Sequence, residues 1–146
     1  MGPPEGHRRG GAAGAPLAYA VSRVSFRHLT LEIDERVLIP RVETEVLVER
    51  VLERCDSRTR TIADIGTGSG AIALSLAFER PFERVFATDI SLDALVLAKS
   101  NAVSLADVLP ATVDFRHGPL LAPPGGASMD ARLRTPPPTA LPDPPG

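Results

Sequence analysis

Hydrophobic and polar positions alternate along the first part of the chain. The apolar positions recur with a period of two on either side of Arg27 and His28; they are Val24, Phe26, Leu29, Leu31 and Ile33. A period of two is typical of strands with one buried and one solvated face. The segment therefore predicts a β-hairpin that turns at Arg27 and His28, with the histidine exposed to solvent.

After the hairpin, the apolar positions predict alternating helices and short buried strands. A first helix is predicted over residues 43–54, and its apolar positions recur with a spacing of three and four; they are Leu47, Val48, Val51, Leu52 and Cys55. The strands that follow are predicted over 61–65, 85–88 and 112–115. The order strand, helix, strand, helix, strand predicts an α/β domain with a parallel sheet and right-handed crossovers.

Two helices are predicted between these strands. The first spans 71–78 and is apolar all round, which is typical of a buried helix. The second spans 92–105 with Ser91 as its N-cap. Its predicted inner side consists of Leu92, Leu95, Val96 and Val103.

Composition divides the chain into three parts. Residues 1–15 are rich in glycine, and residues 119–146 hold nine of the fifteen prolines, so neither end buries enough apolar surface to offset its ordering entropy. We therefore expect a disordered N-terminus over 1–15, a partial domain over 16–118 and a disordered proline-rich tail over 119–146.

Charge and cysteine content exclude several kinds of protein. A net charge of −2 without a basic stripe gives no electrostatic support for binding nucleic acid. Cys55 is the only cysteine, so we expect neither a disulfide framework nor a metal cluster. No segment has the length of a membrane span or a secretory signal, which favours a cytoplasmic protein; Arg8 and Arg9 give only weak support for mitochondrial import.

A glycine-rich loop joins the first buried strand of the predicted sheet to its helix. The loop consists of Gly66, Thr67, Gly68, Ser69 and Gly70. Glycines allow tight turns and close approach of a ligand, and a helix N-terminus offers unpaired N–H groups. Asp89, about twenty residues further on and at the end of the next strand, is placed to accept two ribose hydroxyls. These six residues are the predicted binding site for an adenosine-type cofactor.

Three interpretations of the loop compete. Gly66 to Ala71 satisfies the dinucleotide pattern G-x-G-x-x-G/A, which predicts an NAD-dependent oxidoreductase. The loop also resembles motif I of the class I methyltransferases, in which an acidic residue stands two positions before the first glycine, as Asp64 does here. The third interpretation is a turn that only packs a strand against a helix. Asp64 favours the methyltransferase, because dinucleotide enzymes usually carry an apolar residue at that position.

Two further segments narrow the resemblance. Pro16-Leu17-Ala18-Tyr19 precedes the hairpin, and Leu38 to Glu45 reads L-I-P-R-V-E-T-E after it. Together with Asp64 to Leu74, these segments resemble the release factor glutamine methyltransferases of the HemK type, in which P-L-x-Y, L-I-P-R-x-x-T-E and D-L-G-T-G-S/T-G-A-I-A-L follow one another. The resemblance covers about 16–121 and implies a partial class I, Rossmann-like methyltransferase fold with an N-terminal β-hairpin.

The resemblance also implies a cofactor, a reaction and a partner. The cofactor is S-adenosyl-L-methionine, with Gly66 to Gly70 holding its methionine part and Asp89 its ribose. Pro40 and Arg41 are implied to help close the pocket. The reaction transfers a methyl group to the side-chain amide nitrogen of glutamine in the Gly-Gly-Gln motif of a peptide chain release factor.

The chain departs from the family at its catalytic motif. No N-P-P-Y is present, and a degenerate counterpart, Thr135, Pro136, Pro137 and Pro138, stands where it is expected. Threonine has no amide carbonyl, and proline has neither phenol nor N–H. Catalytic residues are therefore unknown, and we expect the chain alone to be inactive. His117 and Pro119 lie where the family has an acidic or polar residue near the adenine, and we interpret His117 as a solvated strand end.

Two alternatives to an active methyltransferase remain open at this point. The chain is either a fragment that binds the cofactor without transferring its methyl group, or an NAD-dependent oxidoreductase. The proline-rich tail is explained either by a truncated or frame-disrupted gene product or by a segment that binds a partner domain.

Overall fold

The computed structural model describes residues 20–119 and the backbone of residues 131–134. Its elements are β1 (Ser22–Phe26), β2 (Leu29–Ile33), α1 (Val42–Arg54), β3 (Thr61–Ile65), α2 (Ala71–Glu79), β4 (Arg84–Asp89), α3 (Leu92–Ser104), a 3-10 turn (Ala106–Val108), β5 (Val113–His117) and β6 (Ala131–Arg134). The predicted hairpin, helices and strands are all present, with ends displaced by no more than two residues. No helix within the described ranges is both long and apolar enough to cross a membrane.

Strands β3 to β6 form one parallel sheet in the order β5-β4-β3-β6. The prediction of an α/β domain with a parallel sheet is therefore confirmed. Because all four strands run in the same direction, their carboxyl ends lie at one edge. Residues 66, 90 and 118 follow the ends of β3, β4 and β5 at this edge.

The hairpin and the first two helices share one hydrophobic core with the sheet. Helix α2 is buried from Ala71 to Ala77, which agrees with its uniformly apolar sequence. Phe26 and Leu31 of the hairpin and Val48 of α1 belong to the same buried cluster. The hairpin is therefore an integral part of the domain core.

The inner face of α3 differs from the prediction. Leu95 is buried as expected, but Leu92, Val96 and Val103 are exposed. The residues that face the protein are Ala94, Leu95, Leu97, Ala98 and Asn101. Their spacing follows the helical period, and the alanines allow α3 to pack closely. Two leucines, two alanines and one amide therefore form this face, and three of the four predicted aliphatic residues lie outside it.

Strand β6 lies within the segment that composition predicted to be a disordered tail. Residues Ala131 to Arg134 pair in parallel with Ile62 to Ile65 of β3. The prediction of disorder over 119–146 is therefore wrong for these four residues, because backbone hydrogen bonds to a central strand do not require apolar side chains. The predicted disorder of 1–15 and the segment Thr135 to Pro138 lie outside the described residues, and the three-part domain division stays a prediction.

Candidate functional site

The glycine loop adopts backbone conformations that suit glycine. Gly66, Gly68 and Gly70 have φ values of 82°, 57° and 89°, in the left-handed region that other residues rarely enter. Gly70 is the N-cap of α2, and a Cβ atom at this position would lie 3.1 Å from Leu74 Cδ1 and 3.4 Å from Ala98 Cβ. At Gly68, by contrast, no atom of the described residues lies within 4 Å of such an atom. The loop is thus packed against the protein at Gly70 and open at Gly68.

Strand β4 holds the start of the loop. The backbone N–H groups of Gly66 and Thr67 both donate to the carbonyl oxygen of Thr88, at 2.9 and 2.8 Å. The N–H of Gly68 donates to Oδ2 of Asp89 at 2.9 Å. The chain therefore turns at the end of β3 and follows the end of β4 for three residues.

Asp89 is half-buried and connects the loop to the helix that follows β4. Its Oδ2 accepts from Gly68, and its Oδ1 accepts from the N–H of Ser91 at 2.9 Å. Ser91 in turn caps α3, because its Oγ accepts from the N–H of Ala94 at 3.1 Å. The structure thus brings Asp89 to the glycine loop, as predicted from the sequence. Each carboxylate oxygen accepts one of these hydrogen bonds and has a second lone pair for a ligand.

Asp64 is a fully buried carboxyl beneath the loop. Its Oδ2 accepts a hydrogen bond of 2.7 Å from the hydroxyl of Thr67. Among the residues that the structure describes, no group donates a hydrogen bond to its Oδ1. Burial raises the pKa of Asp64 to about 6, and the charge of Asp89 acts in the same direction, whereas the Thr67 hydroxyl and the Ala73 N–H favour the carboxylate. The sequence singled out Asp64 for its position, but only the structure reveals the unsatisfied oxygen.

Two other residues from the sequence analysis, His117 and Arg41, lie at the end of β5 and at the start of α1. His117 is exposed at the end of β5, as interpreted from the sequence, and its Nε2 lies 3.0 Å from the carbonyl oxygen of Ile90. The N–H of Gly118 donates to the carbonyl oxygen of Asp89 at 2.8 Å. Arg41 is exposed at the N-cap of α1 and does not cap the helix with its side chain, so its role at the pocket stays a prediction.

Asn101 is a loop contact that the sequence analysis missed. It is buried on α3, and its side-chain amide nitrogen donates to the carbonyl oxygen of Ser69 at 3.0 Å. The signal that identifies it is an asparagine on the buried face of a helix, where a polar side chain requires partners. No cluster of three or more potential metal ligands occurs in residues 20–119, so we identify no metal centre there.

The profile of a protein family described as "Methyltransferase small domain" matches residues 42–140, which is more than half of the chain. The chain belongs to this methyltransferase family. The methyltransferase interpretation of the glycine loop is therefore confirmed over the dinucleotide interpretation. The match also includes β6, which supports counting this strand as part of the domain.

Curated relatives of this methyltransferase domain carry a common name. The release factor glutamine methyltransferase of Moorella thermoacetica is 52% identical in an alignment of 132 residues that covers 88% of this chain and 46% of that protein. The enzyme of the same name from Enterococcus faecalis is 41% identical over 84% of this chain and 43% of that protein. The enzyme of this name from Xylella fastidiosa is 45% identical over 91% of this chain and 48% of that protein. The predicted resemblance is confirmed, and the chain spans less than half the length of these relatives.

Solved structures support the same fold. The N-terminal domain of human METTL16, in complex with SAH, superposes with a TM-score of 0.54 and 23% identity over 73% of this chain and 46% of that chain. A Pyrococcus abyssi tRNA (uracil-54, C5)-methyltransferase in complex with S-adenosyl-L-homocysteine superposes with a TM-score of 0.52. Its identity is 18% over 66% of this chain and 23% of that chain. At such identities the likeness concerns the fold alone. It confirms a partial class I methyltransferase fold.

Proposed function

We propose that this methyltransferase domain binds S-adenosylmethionine at the edge formed by the loop Gly66 to Gly70 and Asp89. We further propose that it is the cofactor-binding part of an enzyme that methylates glutamine in the Gly-Gly-Gln motif of peptide chain release factors. The observation that carries the proposal is the hydrogen bond from Gly68 to Asp89, which joins loop and carboxylate into one site. The names of the relatives support the substrate.

The residues present fit a cationic adenosyl cofactor. Asp64 Oδ1 is a buried acceptor that no described residue satisfies, and no described residue lies within 4 Å of a Cβ atom placed on Gly68. A positive ligand near Asp64 and Asp89 favours their ionised forms and is favoured by them in turn. The pyrophosphate of a dinucleotide is repelled by the ionised carboxylate of Asp64 beneath the loop, whereas a carboxylate at the position of Asp89 accepts ribose hydroxyls from either kind of cofactor. The charges of the site therefore favour S-adenosylmethionine over NAD.

The domain contributes placement to the reaction. The bound cofactor supplies a methyl group that its sulfonium makes electrophilic. The loop and Asp89 hold the cofactor in one orientation, so that an amide nitrogen can approach in line; alignment of this kind is worth roughly 7–11 kcal/mol of the barrier. The glutamine amide also needs hydrogen-bond acceptors, and in this chain Thr135 to Pro138 replace the motif that the resemblance implies for that task.

Titration calorimetry tests cofactor binding. We expect the chain to bind S-adenosylmethionine and S-adenosylhomocysteine, and to bind NAD far more weakly. The Asp89→Asn variant keeps the shape of the side chain and loses its charge, and we expect about tenfold weaker binding or more, because a hydrogen bond to a charged group is worth about 1.5–3 kcal/mol. Asp93→Asn removes an exposed carboxylate four residues away and is the matched control.

Transfer of a labelled methyl group tests the reaction. A release factor that contains Gly-Gly-Gln is the substrate, and the same protein with its glutamine replaced by alanine is the control. We expect binding of the cofactor without measurable turnover by this chain. Turnover by the unaltered chain would show that the replaced motif is dispensable. Absence of cofactor binding would refute the proposal as a whole. A release factor as partner and a cytoplasmic location stay predictions.

A further inference from the structure

Asn101 connects three parts of the domain through one buried side chain. Its Nδ2 donates to the carbonyl oxygens of Ser69 and Glu32, both at 3.0 Å. Its Oδ1 accepts from the backbone N–H of Glu32 at 2.9 Å. The side chain thus links the glycine loop and strand β2 of the hairpin to α3, and both hydrogens of its amide group are used.

The Ser69–Gly70 peptide is held on both sides. Its carbonyl oxygen accepts from Asn101, and its N–H donates to the carbonyl oxygen of Thr67 at 2.8 Å. The two groups of a trans peptide point in opposite directions. Rotation of this peptide therefore breaks both hydrogen bonds, and the orientation of the loop just before α2 is set from two directions.

A loop with three glycines requires such restraints. Glycine loses more conformational freedom on folding than other residues, because it has no Cβ atom. The peptides between Gly68 and Gly70, both left-handed here, therefore need hydrogen bonds that hold them in one orientation. Asp89 holds the loop at the N–H of Gly68, and Asn101 holds it at the carbonyl oxygen of the next residue, Ser69. The second restraint comes from a helix that also contacts the hairpin.

We infer that Asn101 is a positioning residue for the cofactor site: it fixes the Ser69–Gly70 peptide and couples the hairpin to the loop. The inference rests on the proposed binding of S-adenosylmethionine at this loop. Asn101 acts on the ligand through the loop. Its loss is therefore expected to weaken binding and to leave the preference for S-adenosylmethionine over NAD unchanged.

The composition of the chain provides a direct spectroscopic probe. Asn101 is the only asparagine, and the chain contains no glutamine, so its Nδ2 group gives the only side-chain carboxamide signal in a nitrogen–proton correlation spectrum. In the free chain we expect two separate proton resonances that exchange slowly with solvent, because both hydrogens are bonded and buried. Saturation with S-adenosylhomocysteine is expected to shift this pair of signals and to slow its exchange further.

A matched pair of variants separates positioning from stability. Asn101→Asp retains an acceptor for the Glu32 N–H and removes both donations, and we expect about tenfold weaker binding of S-adenosylhomocysteine by calorimetry, the effect of about one hydrogen bond. Val48→Ala removes two methyl groups from the core at α1. It is expected to lower the melting temperature and to leave the dissociation constant unchanged well below that temperature.

The outcomes distinguish this inference from the proposed function. If the unaltered chain binds neither S-adenosylmethionine nor S-adenosylhomocysteine, the proposed function fails and the inference fails with it. If the unaltered chain binds and Asn101→Asp binds equally well, only the inference is overturned. Should Asn101→Asp fail to fold, the carboxamide signal of the unaltered chain decides, because a signal that does not respond to saturating ligand also overturns the inference.

Discussion

The backbone N–H of Gly68 donates a hydrogen bond of 2.9 Å to the carboxylate of Asp89, 21 residues further along the chain. This contact joins the loop after β3 to the end of β4, and these two strands are neighbours in the sheet. A ligand that binds both the loop and the carboxylate therefore meets a site whose two halves are already connected.

The two glycines of the loop differ in what a side chain would meet. For Gly68→Ala we expect a loss of about 1 kcal/mol in the free energy of unfolding, because the left-handed backbone disfavours a Cβ atom but the space is open. For Gly70→Ala we expect a larger loss, since the new atom also lies 3.1 Å from Leu74 Cδ1. Chemical denaturation of both variants measures the difference. Equal losses would show that the crowding at Gly70 is relieved by rotation of the Leu74 side chain.

Asp64 makes stability depend on pH. Burial raises its pKa to about 6 in the folded chain from an ordinary value of 3.8. The folded state therefore binds the proton of Asp64 more tightly than the unfolded state does. The stability that this proton contributes is fully present below pH 3.8 and is lost as the pH rises towards 6. Over this range the free energy of unfolding falls by an amount on the order of 3 kcal/mol.

Asp64→Asn isolates this contribution. We expect the free energy of unfolding of the variant, minus that of the unaltered chain, to increase between pH 4 and pH 6 and to level off above that. Urea denaturation at several pH values gives this difference. Asp93→Asn, which alters an exposed carboxylate, is expected to show no such increase. A constant difference for Asp64→Asn would mean that the carboxyl titrates normally.

Arg27 anchors the turn of the hairpin to two helices. Its Nε and Nη2 donate to the carboxylate of Glu79 at 2.5 and 2.7 Å, and Nη2 also donates to Glu49 at 2.9 Å. Its backbone N–H donates to the carboxylate of Glu45 at 2.8 Å. We expect Arg27→Lys to lose about 2 kcal/mol in the free energy of unfolding, because an ammonium cannot reproduce the two-pronged contact in this half-buried site.

Arg23→Lys is the matched control for the turn. Arg23 lies in the same hairpin, and 74% of its side chain is exposed. Its Nη2 lies 3.6 Å from Oε2 of Glu32. We expect Arg23→Lys to lower the free energy of unfolding by less than about 0.5 kcal/mol, since exposed ion pairs contribute little to stability and are screened by salt. Similar losses for the two variants would contradict the anchoring role of Arg27.

The replaced motif is testable by restoring it. We expect Thr135→Asn combined with Pro138→Tyr to raise methyl transfer to a Gly-Gly-Gln release factor by about 10² or more over the unaltered chain, the effect of one well-placed hydrogen-bonding group. Thr139→Asn combined with Pro142→Tyr introduces the same residues at the same spacing four positions later and is the control. No gain from the first pair, with cofactor binding intact, would show that more than the motif limits the reaction.

Much of the fold follows from local patterns. The period of two in the hairpin, the apolar runs of β3 and β4 and the cap at Ser91 each depend on neighbouring residues, so the sequence predicts them correctly. The prediction for the inner face of α3 is correct for Leu95 and wrong for Leu92, Val96 and Val103, because residue size alone does not show which side of a largely apolar helix meets the protein. Strand β6 was missed because its pairing with β3 does not depend on apolar side chains.

The sequence by itself determined the order of strands and helices, the glycine loop and the two aspartates around it, since these depend on the spacing of residues along a chain of known periodicity. Only the tertiary structure decided that Arg27 reaches Glu79, 52 residues away, and that Asn101 reaches Glu32 of the hairpin, 69 residues away. The environment that raises the pKa of Asp64 also exists only after folding. Hydrogen bonds and desolvation act through distance in space, and local patterns in the sequence do not encode which distant segments meet.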